Sequence, residues 1–127
     1  GPGVELFPVT DLTAGVAERV AQPAATRPHL TLGVVTFSEA QAAAVEAAVP
    51  GVTVTCVDRA QGEEWDVVVV AVGADPGPAD RAGDRRRLNV AITRARQRTE
   101  VVSSVTAADL GTGARHLRRY LGSLSGS

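Results

Sequence analysis

The sequence predicts an α/β protein, a three-layer α/β/α sandwich around a mostly parallel sheet. Three observations carry this. Short Val-rich segments alternate with helical patterns in the order β-α-β-α-β-β-α-β-α. Residues 66–72, Asp-Val-Val-Val-Val-Ala-Val, are apolar at odd and even positions alike, as a strand covered on both faces requires. The segments between these runs are rich in Gly, Pro, Ser and Asp, which turn a chain for known backbone reasons.

Taken in order, residues 4–9 form a short apolar strand that Pro8 confines to an edge, because proline has no N–H for the ladder. Thr10 or Asp11 can cap a helix over residues 12–22, with Val16 and Val20 on one face. Gly15 weakens that helix slightly. Residues 23–28 hold two prolines and read as a loop. Residues 30–37 read as a buried strand. Ser38 caps the next helix, with Gln41 three residues on as its capping-box partner. Pro50-Gly51 ends that helix, and residues 52–57 are the third strand. Residues 58–65 are too polar for a core, 66–72 form the central strand, and 73–83 read as a Gly/Pro/Asp loop. A helix then runs through residues 85–96, where Leu88, Ala91, Ile92 and Ala95 fall at i, i+3, i+4 and i+7. Residues 99–103 are the last strand. A final helix starts at Asp109 or Thr112 and turns Leu117 and Leu121 inward.

Length and composition narrow the chemistry. At 127 residues a single domain is expected. Residues 1–3 read as a scar from tag removal, residues 4–121 as the domain, and residues 122–127 as a flexible tail. All 13 basic residues are Arg, so a phosphate loop of the form GxxxxGK[ST] cannot be present. One cysteine, Cys56, and two histidines leave no disulfide and no Cys/His metal cluster within the chain, and no metal site is expected. The cysteine usage suits a reducing, cytoplasmic compartment. No apolar run reaches membrane-spanning length. Net charge is −1, so any attraction for a polyanion must be local.

That local charge lies between Arg81 and Arg98, where seven Arg accompany one acid, Asp84. Arg rather than Lys suits planar, two-pronged contact with phosphate. A basic run is more commonly a solvated helix face. Two other segments fall at turns. In Val57-Asp58-Arg59-Ala60-Gln61-Gly62-Glu63-Glu64-Trp65-Asp66, Gly62 permits a tight turn and Glu64 can accept hydrogen bonds from ribose hydroxyls. On its own this is also an ordinary polar turn. Thr36-Phe37-Ser38-Glu39-Ala40-Gln41 is a strand end leading into a capped helix, and read alone it needs no further role.

Together these segments resemble the helicase motifs of superfamily 1, in the Upf-like branch and its bacterial members. Arg86-Arg87-Leu88-Asn89-Val90-Ala91-Ile92-Thr93-Arg94-Ala95-Arg96 is similar to motif VI. Residues 57–64 are similar to motif V and its extension, and residues 33–41 to motif IV. The resemblance covers residues 30–121 and implies the second RecA-like domain of a helicase, a P-loop NTPase fold without its own phosphate loop.

The resemblance also implies residue roles. Arg94 is the arginine finger that reaches the γ-phosphate. Glu64 holds the nucleotide sugar, with Gln61 and Gly62 in the same turn, and Gln61 couples the nucleotide and nucleic-acid sites. Gln41 matches the motif IV glutamine. Arg86 and Arg87 position the motif and pair with acids across the cleft, and which of them points to phosphate stays open. Thr36, Phe37, Cys56 and Asp58 line the nucleic-acid side. Phe37-Ser38 stands where relatives carry Pro-Tyr, and Cys56 where many carry Ser. ATP with Mg²⁺ would be held mainly by a first RecA-like domain of the same protein, and the further partner would be single-stranded DNA or RNA, with no membrane. The isolated chain is expected not to hydrolyse ATP. Two other classes fit parts of the sequence: a non-enzymatic nucleic-acid-binding module acting through the Arg helix, and a regulatory interaction domain.

Overall fold

In the computed structural model, residues 3–26, 29–74 and 81–125 are described. Five strands form one sheet: β1 (Gly3–Pro8), β2 (Leu32–Thr36), β3 (Thr53–Cys56), β4 (Trp65–Val72) and β5 (Ala95–Ser103). Their spatial order is β1-β5-β4-β2-β3, and every described pair is parallel. The helices are α1 (Leu12–Thr26), α2 (Glu39–Ala48), α3 (Arg81–Ile92) and α4 (Arg115–Leu124). The three-layer sandwich and its element order are as the sequence predicts.

The chain crosses the sheet from β1 at one edge through α1, β2 and α2 to β3 at the other, then returns through β4 to β5 beside β1. Crossovers of one hand therefore put α1 and α2 on one face and α3 and α4 on the other. The side chains of β4 divide accordingly. Val69 and Ala71 pack with Val16, Val20, Ala42 and Val45 of α1 and α2. Val68, Val70 and Val72 pack with Ala91 of α3 and with Leu117 and Leu121 of α4. With few aromatics, stacked Val pairs fill the core, and Val34, Val68 and Val69 are fully buried.

Several boundaries differ from expectation. Helix α1 continues to Thr26, with Pro23 in its last turns, where the missing proline N–H leaves the Arg19 carbonyl without its intrahelical donor. The Asp11 carboxylate accepts from the Ala14 N–H and caps the start. Helix α3 begins at Arg81, inside the segment read as a loop; residues 75–80 of that loop lie outside the described residues. It ends at Ile92, so Ala95 and Arg96 are not helical but open β5. Ala95 continues the apolar spacing because the first residue of β5 is buried too, under α3. Helix α4 runs to Leu124, three residues into the segment read as a tail. Trp65, placed by the sequence in a polar turn, is buried at the start of β4.

Candidate functional site

The predicted site residues fall at two opposite edges of the sheet. Because all strands are parallel, residues that follow strands lie at one edge and residues that precede them at the other. Thr36 ends β2, Cys56 ends β3, and Phe37 and Asp58 follow them. Glu64 precedes β4 and Arg94 precedes β5, and the first residues of those strands, Trp65 and Ala95, pair directly. The predicted site residues therefore do not share one strand end. Residues 57–64 descend from the end of β3 to the start of β4, and α3 descends from the end of β4 to the start of β5. The last residues of each crossover are thus delivered to the amino edge.

At that amino edge, Ala60 to Glu63 form a turn closed by the Glu63 N–H on the Ala60 carbonyl at 3.0 Å. Gly62 takes φ +87° at its third position, which only glycine adopts without strain. Gln61 and Gly62 are exposed. Arg94 brackets Glu64 from both sides. Its Nη1 donates to the Glu63 carbonyl at 3.3 Å, and its own carbonyl accepts from the Trp65 N–H at 2.9 Å. The rest of the Arg94 guanidinium turns back onto α3, with Nε on the Val90 carbonyl at 3.1 Å and Nη2 on the Thr93 hydroxyl at 2.9 Å. This is a cation at a helix C-terminus, where exposed carbonyls and the helix dipole favour it.

Glu64 is exposed and pairs with Arg96 at 2.9 Å, and Arg96 reaches Asp66 at 3.6 Å. Asp66 also accepts from the Thr31 N–H and hydroxyl. Those hydrogen bonds from Thr31, with the nearby Arg96 charge, hold its carboxyl below the ordinary aspartate value. Sequence reasoning missed Arg96 as the partner of Glu64; its place two residues after Arg94 was the available signal.

The carboxyl edge is organised by Arg87. Its Nε donates to Asp58 Oδ1 at 3.0 Å, and its Nη2 donates to the Phe37 carbonyl. Arg87 is buried at 6% exposure, so it belongs to the packing of this domain. Arg87 therefore lies among the residues predicted for nucleic-acid contact, away from Arg94, and its acid partner comes from the same chain. Thr36 is fully buried with its hydroxyl on the Ser38 carbonyl. Phe37 and Cys56 are buried as well, and the Cys56 thiol lies 3.7 Å from Asp58 Oδ2. Of these four, only Asp58 presents its side chain to solvent. Gln41, whose N–H is taken by the Ser38 hydroxyl at 3.1 Å, packs its amide against Gly73 at the end of β4. Beside it, Arg59 and Glu39 form an exposed two-pronged ion pair, which lowers the Glu39 carboxyl.

Among the described residues no group of three or more His, Cys, Asp and Glu could hold a metal ion, and no helix is long and apolar enough to cross a membrane.

A parallel five-stranded sheet flanked by helices on both faces defines a three-layer α/β domain. The chain belongs to the AAA domain family, whose sequence profile matches residues 9–106. It is 39% identical over 64 residues to an uncharacterised ATP-dependent helicase of Mycoplasma pneumoniae, and 38% identical over 64 residues to its counterpart in Mycoplasma genitalium. Each match covers 46% of this chain and only 6% of the relative's length. The fold is similar to the C-terminal domain of a possible DNA helicase from Lactobacillus plantarum WCFS1. The TM-score is 0.61 at 22% identity, over 94% of this chain and 82% of that one. The RecA-like expectation for the fold agrees with that likeness.

Proposed function

We propose that this chain is the second motor domain of an ATP-dependent helicase of superfamily 1, in the Upf-like branch. The observation that carries the reading is the bracketing of Glu64 by Arg94. A ribose acceptor and a phosphate-seeking cation are presented side by side at one exposed edge. Both relatives named above are ATP-dependent helicases, and this supports the same reading.

The residues present fit ATP only as an outer wall. The chain has no Lys and hence no phosphate loop of its own. ATP and its Mg²⁺ would be held mainly by a first RecA-like domain facing this edge. Bound ATP supplies a phosphoanhydride whose cleavage changes the charge in the cleft. From this chain, Glu64 would exchange Arg96 for the ribose hydroxyls. Arg94 would leave the Val90 and Glu63 carbonyls and stabilise charge developing on the γ-phosphate. Its present contacts are neutral carbonyls and a hydroxyl, so a phosphate competes for it without breaking an ion pair. The opposite edge would grip single-stranded DNA or RNA, through Asp58 and the backbone around Thr36, Phe37 and Cys56. Helix α3 joins the two edges and holds both Arg87 and the approach to Arg94, so cleft closure at one edge is mechanically linked to the other.

The test is Arg94→Ala in the full-length protein. ATP turnover driven by single strands should fall by about 10³-fold or more, the range of an arginine finger, with single-strand affinity retained. Turnover within a few-fold of the parent refutes the assignment.

A further inference from the structure

The arginines whose side chains are described divide into two populations. Arg19, Arg59, Arg87, Arg96 and Arg98 are each paired with a carboxylate, and Arg94 is held by two carbonyls and a hydroxyl. Arg85 and Arg86 on α3, and Arg115, Arg118 and Arg119 on α4, are exposed and have no ion-pair partner among the described residues. All five of these lie on the two helices that cover the same face of the sheet.

Between those helices runs a groove of ≈ 510 Å³ lined by Arg85, Arg86, Leu88, Asn89, Ile92 and His116. The acid that could neutralise it is turned inward. Asp84 is 7% exposed, and its carboxylate accepts from the His116 N–H at 2.7 Å, which ties α3 to α4 and fixes the groove. The floor is apolar, from the half-buried Leu88 and Ile92, and the rim is cationic with one amide, Asn89.

We propose that this α3–α4 groove binds the sugar-phosphate backbone of a single-stranded nucleic acid, as a contact separate from the strand-end surface around Asp58. Uncompensated Arg on a fixed framework complements a line of phosphates. An apolar floor suits the sugar or base faces that only an unpaired strand exposes. The proposal does not depend on an ATP site.

The experiment is a salt titration of the whole chain with a fluorescently labelled oligo-dT, comparing the parent with the double variant Arg85→Gln/Arg86→Gln and with Arg119→Gln. Losing two phosphate contacts should reduce the slope of log K against log salt by about 1.4 for a single strand. Affinity at low salt should fall by about tenfold, with a smaller loss for Arg119→Gln. All three substituted side chains are exposed, and an unchanged circular dichroism spectrum confirms the fold. An unchanged slope in the double variant overturns the proposal, as does a parent chain with no measurable affinity at low salt. A double variant that binds oligonucleotide normally but no longer associates with the first motor domain also overturns it, and makes the face a protein contact. None of these outcomes bears on Arg94, whose turnover assay tests the motor reading separately.

Discussion

The Arg87 guanidinium on α3 donates to Asp58 Oδ1 at 3.0 Å and to the Phe37 carbonyl, so one buried side chain fastens the ends of β2 and β3 to the helix that leads to Arg94. Arg87→Ala leaves a buried carbonyl without its charged donor and Asp58 without its partner. Asp58 is half exposed and can rehydrate, so the expected loss is about 2–4 kcal/mol, below the top of the range for fully buried pairs. Arg87→Lys should recover less than half of it, because an ammonium cannot span both acceptors. Urea unfolding measures this, and a loss under about 1 kcal/mol would mean that the contact is not structural.

A second prediction concerns Glu100, which is 2% exposed in β5 and lies opposite Glu5 in the register with β1. Arg19 from α1 reaches it at 2.8 Å and stacks over Phe7 at 3.9 Å, while Arg98 bridges Glu100 at 2.9 Å and Glu5 at 2.6 Å. Glu100→Gln leaves Arg19 without a carboxylate and Arg98 with Glu5 alone, and should cost about 3 kcal/mol. Replacing Glu100 and Arg19 together by Leu should cost much less than the sum of the two single changes, because the desolvation penalty disappears with the charges. A double-mutant cycle in denaturant decides this, and strict additivity would contradict it.

Gly33 in β2 lies directly under the Trp65 indole, and a Cβ there would overlap the ring. Gly33→Ala should therefore displace the indole at a cost of about 1–3 kcal/mol. Trp65 is the sole tryptophan, so its emission should shift to the red and its quenching by iodide should rise. Emission identical to the parent's would show that the strand moves instead of the ring.

The acid limb of stability should contain a contribution from Asp66. Its folded pKa is lowered, chiefly by the Thr31 N–H and hydroxyl, with Arg96 adding to the effect. A lowered folded value means that the unfolded chain binds more protons in that window, so stability rises with pH there. The contribution is fully present above the ordinary aspartate value and is lost as pH falls through the lowered one. Asp66→Asn should flatten this part of the profile of unfolding midpoint against pH, and superimposable acid limbs would refute it.

The sequence by itself determined the layers. Alternating Val-rich and helical segments, Pro8 at the edge, Ser38 as a cap, and Val16, Val20, Leu117 and Leu121 as core faces are all local patterns, and local patterns survive folding because burial reads side-chain periodicity. It also supplied the residue types of the candidate site, Glu64 and Arg94 included, through short contiguous motifs. What it could not supply was which of these residues meet. Only the parallel sheet, with crossovers returning to its amino edge, puts Arg94 around Glu64 and sends Arg87 to Asp58 at the other end. The helix end at Ile92, ahead of the apolar spacing that continues to Ala95, is set by the pairing of Ala95 with Trp65 and not by periodicity. The same holds for charge. A run of seven Arg looks uniform in one dimension, but long-range carboxylates neutralise only Arg87, Arg96 and Arg98 of it. Which cations remain without an ion pair was decided by partners far apart in the chain, and that is information carried by the tertiary structure alone.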